Sequence, residues 1–205
     1  MKPEYWDRAK RALAKRDPVM AAIIKRHPKV FMMRRGEAFM TLARAICGQQ
    51  ISVKAAQSVW NRVCECVGDI NPQNVLSRKR KQLRACGLSD RKTEYIADLA
   101  QHFADGKIHE HRWPEMDDEA IIAELVDVRG IGRWTAEMFL MFNLLRPDVF
   151  PLDDLGLQKG IRVNYFKGRK VSLRTMRRIG ETWRPWRSVA TWYLWRSLDP
   201  LPVEY

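Results

Sequence analysis

Apolar positions along this chain recur at spacings of three and four rather than two. Phe39, Leu42 and Ile46 form one stripe, and Ala56, Val59, Val63 and Val67 form a second behind Ser52 as an N-cap. Asn71-Pro72 interrupts the pattern, and a short helix is predicted from Ser77 to Gly87, where a glycine can close it. Ser89 opens the next helix, which carries Tyr95, Ile96, Leu99 and Phe103 inward. Asp117 or Asp118 begins another, with Ile121, Ile122 and Leu125 on one face, and helices over 133–144 and about 173–198 complete the set. No stretch alternates at period two between turn dipeptides, as the strands of hairpin-built sheets do. The predicted fold class is all-α. Neither an internal repeat nor a Ser/Gly-rich linker divides the sequence, so a single domain over residues 1–205 is expected.

Composition narrows the class. With 46% hydrophobic and 30% charged residues, the 205-residue chain can bury a core without disulfides or a metal. Its longest apolar run, residues 138–145, is broken by Asn143 and falls well short of the ~20 residues a bilayer crossing needs. The start, Met1-Lys2-Pro3-Glu4-Tyr5-Trp6-Asp7-Arg8, carries acids where a secretory signal would need a basic flank and an apolar core, so a cytoplasmic location and no membrane partner are expected. Cys47, Cys64, Cys66 and Cys86 contain no C-x-x-C pair and read as buried thiols rather than zinc ligands.

Charge brings in a partner. The 37 Lys and Arg against 24 Asp and Glu give a net +13, which suits a polyanion. Basic clusters lie at Lys10-Arg11 with Lys15-Arg16, at residues 78–81 and at residues 167–178, whereas residues 110–124 are acidic. Solvated helix faces would produce the same counts, so charge alone leaves both readings open.

The stretch Leu125-Val126-Asp127-Val128-Arg129-Gly130-Ile131-Gly132-Arg133-Trp134-Thr135-Ala136 reads as two helices joined by a tight turn. Gly130 and Gly132 permit positive φ and close backbone approach, and the second helix opens at once with its first N–H groups facing outward. Such a turn offers main-chain donors and a helix dipole to a phosphate oxygen, anchoring a nucleic-acid backbone without reading its sequence. A lone Gly-x-Gly is weak, but the full Val-x-Gly-Ile-Gly-x-x-Thr-Ala pattern is much more specific.

Beyond this turn, the sequence resembles the helix-hairpin-helix superfamily of DNA glycosylases and, within it, the 3-methyladenine DNA glycosylase II (AlkA-type) branch. The resemblance runs from about Phe39 to Trp195. Its landmarks are Ala45-Ile46-Cys47-Gly48-Gln49-Gln50-Ile51-Ser52, Gly87-Leu88-Ser89 with Arg91-Lys92, the hairpin, Asp148-Val149-Phe150-Pro151-Leu152-Asp153-Asp154, Trp183-Arg184-Pro185-Trp186-Arg187 and Tyr193-Leu194-Trp195. It implies two helical lobes around a cleft, with the hairpin at about 121–144, in a compact form without the N-terminal β-rich lobe that some members carry.

The resemblance also implies chemistry. Asp154 stands where the family carries its aspartate, 22 residues after Gly132, and Asp153-Asp154 behind Pro151 reads as a helix start that favours an ionised carboxylate. Cleaving an N-glycosidic bond builds oxocarbenium character on the sugar, which a carboxylate stabilises while orienting water. Asp153 reads as a cap without chemistry. Trp134 occupies the hairpin position where bifunctional relatives carry a Schiff-base lysine, which implies base removal without AP lyase cleavage. Trp134 and Trp195 match base-pocket positions whose electron-rich rings suit cationic 3-methyladenine or 7-methylguanine, and Met138 replaces a pocket aromatic. Trp183, Trp186 and Trp192 read as core.

Base flipping needs a side chain to fill the gap, and the family places its wedge at Gly48-Gln49-Gln50-Ile51. Gln50 falls by register on the wedge position, with Gln49 and Ile51 as neighbours. Gly130, Ile131, Gly132, Arg133 and Thr135 are the expected phosphate contacts, with Lys159 beside them. No cofactor is implied; a monovalent cation on the carbonyls of Val126, Val128 and Ile131 would be an aid to phosphate binding. The expected partner is double-stranded DNA carrying damaged bases, met by a monomer. A glycosylase for uracil, a deaminated purine or a mismatched base, and a non-catalytic helix-hairpin-helix DNA-binding module, are the alternatives.

Overall fold

The computed structural model describes residues 2–198. In chain order its helices are α1 (Trp6–Arg16), α2 (Pro18–Arg26), α3 (Ala38–Gly48), α4 (Val53–Val67), α5 (Pro72–Leu76), α6 (Arg80–Ala85), α7 (Asp90–Ala104), α8 (Asp118–Asp127), α9 (Arg133–Phe142), α10 (Leu155–Phe166), α11 (Leu173–Thr182) and α12 (Arg187–Leu198). A 3-10 segment over Glu110–Glu115 precedes α8, and no strand occurs among the described residues. The all-α expectation holds. Among the described residues no helix is long and apolar enough to cross a membrane.

The chain divides into two compact units, one built from residues 2–34 and 140–198, the other from residues 35–139. In the first, α1 buries Trp6, Ala9 and Leu13, and α2 buries Met20, Ile23 and Ile24. Asp17 between them does two tasks. Its Oδ1 accepts the Val19 and Met20 N–H groups at 2.9 and 3.1 Å, capping α2. Its Oδ2 accepts the Tyr165 hydroxyl at 2.6 Å and the Trp183 indole N–H at 3.0 Å. Burial, with Asp17 alongside, pushes the Tyr165 hydroxyl well above the ordinary tyrosine range.

α10 and α12 lie close because of a glycine. A Cβ on Gly160 would stand 3.0 Å from the Leu194 Cβ and 3.2 Å from its carbonyl oxygen. α12 is buried from Ser188 to Arg196, on every side, which explains why it carries no apolar stripe. The single helix expected over 173–198 is two helices, α11 and α12, separated at Trp183–Trp186. Pro185 has no N–H to continue the ladder, and Trp183, fully buried, is committed to Asp17 and to an edge-on contact with Phe150 at 5.9 Å. Trp183, Trp186 and Trp192 are all buried, as read from the sequence.

In the second unit α3 meets α7 through an edge-to-face Phe39–Phe103 pair at 5.4 Å. Ser52 caps α4, Ser89 caps α7 and Asp117 caps α8, each accepting the N–H three residues on. Asn71-Pro72 does more than interrupt. Asn71 accepts the Asn74 N–H at 2.8 Å and Pro72 takes the first helical position, so the pair starts the extra helix α5. The helix expected from Ser77 accordingly begins later, at Arg80. The four cysteines are free thiols; Cys47 and Cys86 are buried as expected, whereas Cys64 and Cys66 are half-buried, and burial pushes Cys47 up to about 12.

Candidate functional site

Of the two glycines in the turn between α8 and α9, Gly130 has the expected positive φ and close approach, whereas Gly132 has neither. Gly130 sits at φ +86, and a Cβ there would run into the ring of Tyr95 on α7. Around Gly132 a Cβ would meet nothing within 4 Å, so its side faces open space. The turn is closed by Ile131 N–H donating to the Val128 carbonyl at 3.1 Å, and Val128 N–H donating to Leu125 at 3.3 Å. Val128 and Ile131 point into the core while Val126, Gly132 and Arg133 are exposed. α9 therefore begins with its first N–H groups at the surface of a rigid turn, the arrangement that favours an anion. Arg133 is also engaged by carboxylates: its guanidinium bonds Glu119 at 2.9 Å and Glu137 at 3.1 Å. Thr135 is half-buried on the same first turn.

Asp98 on α7 braces the turn. Its carboxylate accepts the Arg129 N–H at 2.9 Å and pairs with the Arg129 guanidinium at 3.1 Å. Burial pushes this carboxyl up, but the Arg129 bonds and charge, with His102 nearby, outweigh it and hold it below the usual carboxylate value. Neither Asp98 nor Tyr95 was singled out from the sequence for this task, because their partners lie about 30 residues away.

The loop after α3 is anchored to the same turn. Gln49 Nε2 donates to the Gly130 carbonyl at 2.8 Å. Gln50 adopts a left-handed backbone at φ 59, uncommon for a non-glycine residue, and both Gln50 and Ile51 are exposed. Trp134 and Met138, four residues apart on α9, share a helix face; Trp134 is 39% exposed and Met138 8%.

In the first unit Asp154 is the N-cap of α10 and is buried. Its Oδ1 accepts the Leu157 N–H at 2.6 Å and the Trp195 indole N–H at 2.8 Å. The Trp195 ring stacks on Phe142 at 6.0 Å and meets Trp192 edge-on at 6.5 Å, so the indole that holds the carboxylate is itself held by aromatic neighbours. Asp153 beside it is exposed and is not the cap read from the sequence, since the N-cap of α10 is Asp154. A further residue belongs to this pair. A Cβ on Gly156 would stand 3.0 Å from Asp154 Oδ1 and 3.1 Å from Trp195 Nε1, so only glycine leaves the two in undisturbed contact. Gly156 was not singled out from the sequence; the spacing Gly156-x-x-x-Gly160 along one helix face is the signal that could have found it.

Thus the structure joins Asp154 to Trp195 within one unit, and Gln49 to Gly130 within the other. Among the described residues no group of three or more His, Cys, Asp or Glu could hold a metal ion.

Comparison with known proteins shows the family. Residues 43–185 match the model of the HhH-GPD superfamily of base excision DNA repair proteins. The chain is 32% identical over 169 residues to DNA-3-methyladenine glycosylase 1 of Schizosaccharomyces pombe, covering 80% of this chain and 74% of that protein. It is also similar to the crystal structure of a DNA-3-methyladenine glycosidase from Bacillus halodurans, with a TM-score of 0.85 and 32% identity over 92% of this chain and 87% of that one. The S. pombe 3-methyladenine DNA glycosylase in complex with abasic DNA superimposes with a TM-score of 0.81 at 29% identity, covering 97% and 99%. Of two curated Bacillus subtilis relatives that it also matches, the chain spans 66% and 65% of the length.

Proposed function

This chain belongs to the HhH-GPD superfamily of base excision DNA repair proteins, and on that premise we propose that it is a monofunctional DNA glycosylase. It removes alkylated purines of the 3-methyladenine and 7-methylguanine type from double-stranded DNA by hydrolysing the N-glycosidic bond. The observation that carries this reading is the buried Asp154 carboxylate, held at the head of α10 by the Leu157 N–H and the Trp195 indole.

The chemistry follows from what such a carboxylate can do. N3- or N7-methylation leaves positive charge on the purine ring, so the base departs readily with the electrons of the C1′–N bond. Positive charge then moves to the sugar, and the Asp154 carboxylate stabilises it electrostatically. Asp154 also orients a water for attack at C1′ and accepts its proton. Because two donors fix Oδ1, the carboxylate is set before substrate arrives and little reorganisation is needed.

The other residues bind and orient. Trp134 and Trp195 offer indole faces to a cationic base, with Met138 as a polarisable neighbour. Trp134 has no amine, so no Schiff base forms at that position and strands stay intact after base loss. The Gly130-Ile131-Gly132 turn, with Arg133 and Thr135, receives a backbone phosphate. Gln50, flanked by Gln49 and Ile51, fills the gap left by the extruded base. By the resemblance, the carbonyls of Val126, Val128 and Ile131 are hard oxygen donors that would hold a monovalent cation; the Val128 oxygen accepts the Ile131 N–H, one of the two bonds a carbonyl oxygen can take. Such a cation would add positive charge beside the phosphate.

The test is base release from methylated duplex DNA by wild type and Asp154→Asn, with released bases identified by mass spectrometry and strands run on denaturing gels before and after alkali. The expected result is 3-methyladenine or 7-methylguanine release that needs Asp154, with breaks only after alkali. Release of uracil or a deaminated purine instead would make the substrate another lesion. No release of any base from a protein that still binds duplex would make the chain a DNA-binding module.

A further inference from the structure

α7 supplies three side chains, Lys92, Tyr95 and Asp98, along one helix face, and all three engage functional backbone. Tyr95 packs against Gly130 and Asp98 holds Arg129, while Lys92 reaches the other segment. Its ammonium donates to the Cys47 carbonyl at 2.9 Å and to the Gln49 carbonyl at 2.6 Å. The last carbonyls of a helix lack intrahelical partners, and α3 ends at Gly48, so Lys92 satisfies α3 from outside it.

Lys92 stands in a costly place. It lies in the first turn of α7, where the helix dipole disfavours a cation. Burial also disfavours its charge, pulling its ionisation below the ordinary lysine value. A residue that breaks two local rules has its compensation elsewhere. Here that is the loop: one residue after Gln49, Gln50 holds a left-handed backbone that persists only where its surroundings fix it. Lys92 and the Gln49–Gly130 bond fix one side of Gln50, and the Ser52 cap on α4 fixes the other, with Ala55 N–H donating to Ser52 Oγ at 3.3 Å.

We infer that Lys92 is the positioning residue of the 49–51 loop: it clamps the end of α3 so that Gln50 and Ile51 are presented rigidly to the helical stack of DNA, in register with the Gly130 turn. This rests on the reading of the 49–51 loop as the base-extruding wedge. Lys92 touches no substrate. It separates two properties that a general structural role would move together, since duplex grip belongs to the hairpin and extrusion to the loop.

The experiment uses full-length protein and a duplex carrying 2-aminopurine beside a tetrahydrofuran abasic analogue, so that unstacking is read by fluorescence without any glycosylase turnover. Lys92→Met is expected to bind this duplex within twofold of wild type while the unstacking signal falls at least threefold. Lys92→Arg, which keeps the cation and its donors, should restore most of the signal. If Lys92→Met does not fold, Lys92→Gln, which removes the charge and shortens the reach to the Cys47 and Gln49 carbonyls, is read in the same way. An unchanged unstacking signal, or equal losses of affinity and unstacking, would overturn the inference. Wild type that unstacks 2-aminopurine but releases no methylated base would instead refute the proposed activity and leave the inference standing.

Discussion

Gly156→Ala tests the Asp154–Trp195 pair with one methyl group. The new Cβ would lie 3.0 Å from Asp154 Oδ1, 3.1 Å from Trp195 Nε1 and 3.2 Å from its Cδ1, where ordinary contact begins near 3.4 Å. The pair must therefore open, or α10 retreat, by roughly 0.3–0.4 Å. Misplacing a catalytic group costs on the order of a hundredfold per ångström, so on the proposed role of Asp154 base release should slow by roughly four- to sixfold. Stability should change little. Gly156 lies within α10, where alanine is favoured over glycine by about 0.5–1 kcal/mol, which offsets much of the steric strain. The assay is single-turnover release of methylated purine at saturating protein, paired with urea unfolding. A rate slower by about four- to sixfold in an equally stable protein supports the geometry. A wild-type rate would show that Asp154 and Trp195 need not be in contact for the reaction, and the account of how Asp154 is set would be wrong.

Gly130→Ala should destabilise the protein by more than the roughly 1–2 kcal/mol that a left-handed alanine costs, because its Cβ also meets Tyr95; urea midpoints measure it, and duplex affinity should fall with it. Asp98 gives acid sensitivity of defined sign. Its folded carboxyl lies below the ordinary value of 3.8, so its contribution is present above that value and is lost as pH falls through the folded one. Asp98→Asn should therefore flatten the fall in stability below about pH 4, and unfolding midpoints that fall equally in both proteins would refute it. Cys47, pushed up to about 12 by burial, should label with a thiol reagent near neutral pH only as the protein unfolds, well after the half-buried Cys64 and Cys66. Affinity for undamaged duplex should fall with salt, at a logarithmic slope near −0.9 for each phosphate held; a flat response would count against a phosphate-based grip.

Much of the local structure around the candidate site was legible because its determinants are local. Ser52, Ser89, Asp117 and Asp154 each cap the helix that follows by accepting an N–H three residues on, a bond that sequence spacing alone predicts. The glycines of the hairpin announce a turn in the same way, and the three-and-four periodicity of the longer helices announces the all-α fold. The order of the landmarks carried the family. Where pattern and local propensity disagreed, boundaries slipped. Asn71-Pro72 reads equally as a stop or a start, and the break between α11 and α12 is set by what Trp183 and Pro185 do in the folded chain.

The tertiary structure alone decided which distant residues act together. Trp195 grips Asp154 across 41 positions, Gln49 reaches Gly130 across 81, and Lys92 spans 43 to hold the Gln49 carbonyl. No periodicity encodes such pairs, because each depends on how whole helices pack rather than on neighbours one turn away. The sequence determined most of the elements and the family; packing determined that Asp154 is held by an indole, that Gly156 must leave room for that bond, and that α7 underlies both the hairpin turn and the loop.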